Sequence, residues 1–199
     1  MSLLFRDNIL KKIVSFRSFL YLPPFVVLII TFYNEMENDF LIWPLGISMI
    51  FIGFLIRLWS TKYIGRRTPS TKKKGKTLVN MGPYAIVRNP LYIGNIIIAT
   101  GLSVLSKLIW FTPFVTIYFF TLYHFVVLYE EKKLSERWED DYLAYFKEVP
   151  RWIPKLRNLH RFKANGFKWI QALRSETRSL IYILFGIFAF VLKEILSNM

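Results

Sequence analysis

Between Phe19 and Leu196 the sequence returns five times to an apolar run, at 19–33, 40–59, 86–105, 108–129 and 180–196. A helix crossing a bilayer takes roughly 20 apolar residues, because each backbone N–H and C=O in hydrocarbon must be satisfied within its own segment. The runs therefore predict an all-α, polytopic membrane helical bundle of about five spans, a single domain over 1–199. Composition agrees, at 54% hydrophobic and 18% aromatic, far above soluble averages. The chain has no cysteine, which excludes a disulfide, a thiolate-bound metal and a cysteine nucleophile.

The polar stretches set the orientation. A basic lead (Arg6, Lys11, Lys12, Arg17) precedes the first run, in which Pro23 and Pro24 kink or delay the helix. TFYNEME after that run offers no small-x-small cleavage site, so the run reads as a retained span rather than a signal peptide. Arg57 and Trp59 close the second run as an interfacial pair, with the arginine expected to snorkel to the headgroups. Residues 60–81 then carry seven Lys and Arg residues and no acid, which by the positive-inside rule makes this loop and the N-terminus cytoplasmic. The net charge of +14 lies mostly between apolar runs, which favours anionic lipid headgroups over nucleic acid as its partner. GKT at 75–77 is not a P-loop ending, since Ser70 stands where the first glycine belongs and no βαβ pattern surrounds it.

The most informative stretch is GPYAIVRNPLYIGNIIIATGLSVL at 82–105. Asn89 suits an N-cap and Pro90 the first helical position, so a helix is expected to begin there with Arg88 and Tyr92 beside it. Its free N–H groups and dipole favour the anionic part of a ligand. Gly94 and Gly101, a heptad apart, are expected at a close helix contact. Only Ser106 and Lys107 separate this run from the next, so the two form a hairpin and Glu130 and Glu131 return to the membrane face of Arg88 and Asn89. His124, alone on its helix, reads as a packing residue. Residues 132–178 are expected to be cytoplasmic, helical as far as Tyr145 and irregular over Val149–Pro154.

Two blocks, KTLVNMGPYAIVRNPLYIG at 76–94 and EEKKLSERWEDDYLAYFKEVPRWIP at 130–154, closely resemble the signature blocks of the isoprenylcysteine carboxyl methyltransferase and phospholipid methyltransferase superfamily. The resemblance covers 76–154. It implies an integral-membrane enzyme that uses S-adenosylmethionine without a Rossmann fold. It also implies cofactor contacts from Lys76, Thr77, Leu78, Val79, Tyr84, Asn89, Pro90, Leu91, Tyr92 and Glu130. Three positions depart from the pattern: the customary histidine is Asn89, the glycine usual after Trp138 is Glu139, and an arginine that contacts prenylcysteine substrates is matched by Val126. Asparagine does not exchange a proton near neutral pH, which removes a general base from position 89.

Methyl transfer from a sulfonium needs little acid or base help, and positioning in a dry pocket supplies most of the rate. Arg88, Asn89, Tyr92 and Glu131 are the candidate catalytic residues. Arg88 either binds an anionic substrate or lies among the headgroups. Glu131 either acts in the site or bridges to Lys133 or Arg151. Tyr142, Tyr145 and Arg151 are expected to clamp the polar segment over the pocket. The acceptor is lipophilic: a lipid amine, a thiol or an isoprenylcysteine-type carboxylate. A membrane sterol-type reductase, which shares a similar R-x-x-x-Y-x-G segment and uses NADPH, is a second reading, and a non-enzymatic membrane scaffold is a third. No metal is expected.

Overall fold

A computed structural model describes residues 2–64, 78–161 and 168–197, with the side chains of 2–6 and 159–161 left aside. Within them the chain forms eight α-helices: α1 (Ser2–Phe16), α2 (Leu22–Ile30), α3 (Asp39–Ile64), α4 (Pro83–Ile86), α5 (Pro90–Leu105), α6 (Thr112–Glu148), α7 (Trp169–Ser175) and α8 (Thr177–Ser197). Short 3-10 turns occupy Phe19–Tyr21, Ile109–Phe111 and Leu156–Arg161, and there is no strand among the described residues. The all-helical expectation holds.

Among the described residues α3, α8 and the stretch Ile109–Glu148 are long and apolar enough to cross a membrane, and the bent pair 7–16 and 19–30 is either a fourth, broken span or a re-entrant loop, so three to four candidate spans stand beside the five expected. α5 begins at Pro90 rather than 86 and has 16 residues, about 24 Å at 1.5 Å per residue and so short of a full crossing. The reason is local. Gly82 is at φ +60, and a Cβ there would come within 2.4 Å of the Tyr63 ring, so the chain turns sharply past the end of α3 before Pro83 starts the separate four-residue α4.

Pro23 and Pro24 sit in the first turn of α2, where an N–H is not needed, and the chain bends by 74° between 7–16 and 19–30. α1 lies along α6, with Leu10 buried and Asp7 paired to Lys132.

α3 and α5 share the most extensive interface. A Cβ on Gly53 would stand 2.8 Å from the Gly94 carbonyl oxygen, and one on Gly101 would stand 2.9 Å from that of Gly46. Gly94 and Gly101 thus meet Gly53 and Gly46 in a two-rung glycine contact, which brings the backbones together where lipid supplies no hydrophobic drive. Leu28, Ile50, Ile98, Leu105, Val115, Phe119, Leu122, Ile183 and Phe190 fill the core between α2, α3, α5, α6 and α8. Outward, Phe51, Phe114, Ile117, Leu184, Phe185 and Phe188 stand exposed, the surface expected of a bundle solvated by acyl chains.

α6 runs past its apolar half into the charged segment, so the helix expected over Glu130–Tyr145 is its extension, which reaches Glu148 across a break in helical geometry. It kinks at Glu139 (φ 37, ψ −112). That backbone is one only glycine adopts without strain, which accounts for the glycine the resemblance leads one to expect there.

Candidate functional site

α4 has four residues, too few to satisfy its own end groups, and its backbone is served instead by the far end of α6 and the segment after it. The Tyr145 hydroxyl donates to the Tyr84 carbonyl (2.8 Å), Asn158 Nδ2 to the Ala85 carbonyl (3.0 Å) and the Lys155 N–H to the Ile86 carbonyl (2.9 Å). The Arg88 N–H donates to the Pro150 carbonyl (2.9 Å). Residues 145–158 therefore strap residues 84–88 in place, and the two sequence blocks become one structure.

Beneath the strap lie the paired carboxylates. Glu131, buried, accepts two bonds from Arg151 Nε (both 3.1 Å) and one from Arg151 Nη2 (2.7 Å). Its Oε1 also lies 3.3 Å from Arg88 Nε and 3.4 Å from Asn89 Nδ2. These bonds from Glu131 raise the Arg151 guanidinium above its ordinary value, against a smaller opposing effect of burial. Arg88 also donates to the Phe146 carbonyl (3.3 Å), with its guanidinium 4.0 Å over the Phe146 ring. Arg88 is thus buried and internally paired, and is not among the headgroups.

Asn89 occupies the N-cap position of α5 but makes no side-chain cap bond. Its Nδ2 turns to Glu131 and to the Arg151 carbonyl (3.3 Å). The chain thereby places a carboxylate of its own, Glu131, on the residue that opens α5.

Glu130 has different company. The Tyr92 hydroxyl donates to its Oε1 (2.7 Å), joining α5 to α6, and Arg17 Nη1 is 3.9 Å from the same oxygen. The Tyr92 ring packs on Tyr123, centroids 5.0 Å apart. Tyr84 is buried close by, and its hydroxyl has no hydrogen-bond partner among the described residues. Burial first, then Tyr145 and Glu130, push the Tyr84 hydroxyl well above the usual tyrosine value, so it stays protonated and able to donate.

The structure therefore gathers Tyr84, Arg88, Asn89, Tyr92, Glu130 and Glu131 at one end of the α5–α6 hairpin. Pro90 is buried at the first position of α5 and Leu91 is half-buried beside it. Leu78 packs instead on the Tyr142–Tyr145–Val149 cluster, and Val79 follows it, half-buried. Lys76 and Thr77 lie outside the described residues. Val126 is fully buried within the bundle. His124 packs among Phe120, Phe125 and Trp152, with its Nδ1 buried and without a hydrogen-bond partner among the described residues.

Sequence reasoning placed Arg57 at the headgroups, and this is corrected. Its side chain is buried in a polar network, donating to Glu176 Oε2 from Nε (3.0 Å) and Nη2 (2.6 Å), to Ser179 Oγ (2.8 Å) and to Asn95 Oδ1. Thr61 adds a bond to Glu176 Oε1 (2.6 Å). Burial pushes the Glu176 carboxyl up, but the Arg57 charge and the bonds from Thr61, Arg57 and Ser179 outweigh it and hold the group below the usual carboxylate value. The available signal was a polar residue on each of three apolar elements, with nothing in the spacing to say that they meet. Arg17 was read only as part of a basic lead, and its approach to Glu130 was missed.

The family model for phospholipid methyltransferase matches residues 41–141, from the first turns of α3 to beyond the kink in α6. The chain is similar to the cobalt-zinc-cadmium resistance protein CzcN of Cupriavidus metallidurans, 30% identical over 140 residues, which is 70% of this chain and 60% of that protein. It is also similar to the nickel-cobalt-cadmium resistance protein NccN of Alcaligenes xylosoxydans xylosoxydans, 30% identical over 112 residues, 56% of this chain and 48% of that protein. The chain thus spans about half to three fifths of the length of these relatives. No solved structure matches it.

Proposed function

The chain belongs to the phospholipid methyltransferase family, and on that premise we propose that it is an S-adenosylmethionine-dependent methyltransferase acting on a lipophilic acceptor at the cytoplasmic membrane face. The observation that carries the reading is the Tyr92–Glu130 hydrogen bond. It joins the two signature blocks at a carboxylate that, unlike Glu131, no cation holds at hydrogen-bond distance. A ligand with an ammonium and a sulfonium suits this donor set: a carboxylate, aromatic faces at Tyr92 and Tyr123, and the buried, unpartnered Tyr84 hydroxyl. When bound, the cofactor supplies a methyl group already activated on sulfur.

The chain's own part is to position and to exclude water. Glu130 holds positive charge, and Tyr92 fixes the carboxylate by donating to it. Tyr84, kept protonated, donates from beneath. Glu131 serves as a positioning residue, because Arg88 and Arg151 both engage it, and the strap then rests on those pairs. With Asn89 in place of the customary histidine, no proton acceptor stands at that position, so the acceptor arrives with its lone pair free, as a neutral amine, thiolate or carboxylate.

The test is to measure binding of labelled S-adenosylmethionine and of NADPH to the detergent-purified chain, and then transfer of label into a total lipid extract, thiols and prenylated peptides. Cofactor binding that falls about thirtyfold in Glu130→Gln is expected, the loss of one charged interaction. Binding of NADPH instead selects the reductase reading. Binding of neither selects a scaffold.

A further inference from the structure

The cofactor's amino-acid end carries a carboxylate as well as an ammonium, and the site so far seats only the ammonium. At the start of α5, where an anion is expected, the Asn89 side chain already donates to Glu131 (3.4 Å), which sets a negative charge beside the free N–H groups. Arg88 and Arg151 are both bound to that same Glu131. Two described cations act on Glu130: Lys133, whose ammonium lies 4.3 Å from the centre of the Tyr129 ring, and Arg17, a third exposed and 3.9 Å from it. Charge-assisted bonds close at about 2.7–2.9 Å, so at this separation the pair attracts without forming one. Arg17 is carried beside α6 by its backbone. It follows α1, which is fixed to α6 by buried Leu10 and by Asp7 on Lys132, and it stands at the 74° bend before α2.

Resting on the cofactor reading above, we propose that Arg17 binds the carboxylate of the cofactor's amino-acid end, so that the loose Arg17–Glu130 pair opens to take the zwitterion between its members. The ammonium then faces Glu130 and the carboxylate faces Arg17. Each protein charge exchanges a distant partner for a hydrogen-bonded one, and the amino-acid end adds no net charge to the site. Residue 17 lies outside the matched 41–141, so this contact comes from the N-terminal segment rather than from the region of the family match.

The experiment compares two nucleosides on the full-length chain in detergent: S-adenosylhomocysteine, which keeps the amino-acid end, and 5′-methylthioadenosine, which lacks it. Arg17→Gln is expected to weaken S-adenosylhomocysteine binding about tenfold, the loss of one charge-assisted bond, and to leave methylthioadenosine binding unchanged. Arg17→Lys restores part of the loss. Unchanged or tighter S-adenosylhomocysteine binding in Arg17→Gln overturns the assignment, tighter binding meaning that Arg17 merely competes for Glu130. Equal loss of both nucleosides overturns it as well, in favour of a structural role. If the unsubstituted chain binds neither nucleoside, the cofactor reading itself falls, and the role of Arg17 falls with it.

Discussion

The two ends of the bundle handle buried charge in opposite ways. At the end away from Asn89, Lys107 reaches Asp39 (2.6 Å) and Glu194 (2.5 Å), while buried Lys193 reaches Glu35 (2.7 Å) and the Ser106 carbonyl (3.0 Å). The Met36 N–H also bonds the Lys107 carbonyl (3.1 Å). Each lysine is closed on a carboxylate at full contact, and the result is a clamp joining the α2–α3 loop, the α5–α6 turn and α8. At the Asn89 end the adjacent glutamates diverge. Glu131 is closed in the same way, by Arg88 and Arg151, whereas Glu130 keeps one tyrosine bond and a cation out at 3.9 Å. Two neighbouring residues of one type thus take a structural and a binding role, set by which cations the fold brings to each. A closed pair stabilises, and an open one is available to a ligand.

The largest effect that breaks this comparison is expected at Glu131. Glu131→Ala leaves two guanidinium groups without their carboxylate and is expected to destabilise by roughly 3–5 kcal/mol, read as a large fall in the thermal unfolding midpoint. Glu130→Gln, by contrast, is expected to leave that midpoint nearly unchanged while cofactor binding falls about thirtyfold. If the two substitutions unfold the chain alike, the division of roles does not hold.

Next in size is the clamp. Lys193→Met removes the cation but keeps the volume and strands Glu35, and it is expected to cost about 2 kcal/mol. Cofactor affinity at the other end is expected to be unaffected, since no shared partner connects the clamp to Glu130. A parallel loss of cofactor affinity would show that the ends are coupled.

The smallest effect sharpens the comparison within α6. Glu139→Gly relieves the positive-φ strain at the kink and is expected to gain about 1 kcal/mol, seen as a raised unfolding midpoint. A lowered midpoint would mean that the Glu139 side chain contributes more than its backbone costs.

Much of this was legible in advance. The apolar runs required helices, because hydrocarbon leaves a backbone few other ways to satisfy its hydrogen bonds. The short polar break at Ser106 and Lys107 implied the hairpin, whose connection in the structure runs over 106–111 and returns Glu130 and Glu131 to the end that carries Asn89. Gly94 and Gly101 announced a close packing face. What the run lengths obscured was where helices begin, since Ile86 and Val87 are as apolar as α5 yet belong to a separate turn and its cap.

The sequence by itself determined the helical membrane class, the family and the meeting of the two blocks, because each rests on local spacing and on a short connection whose geometry has few alternatives. Only the tertiary structure decided which charge answers which. That Arg57 turns inward to Glu176, that Glu131 is spent on Arg88 and Arg151, and that Arg17 comes to stand beside Glu130 are contacts between residues 20 to 119 positions apart. Pairings at such separations follow from how helices rotate and slide against one another, and no periodicity along the chain records that.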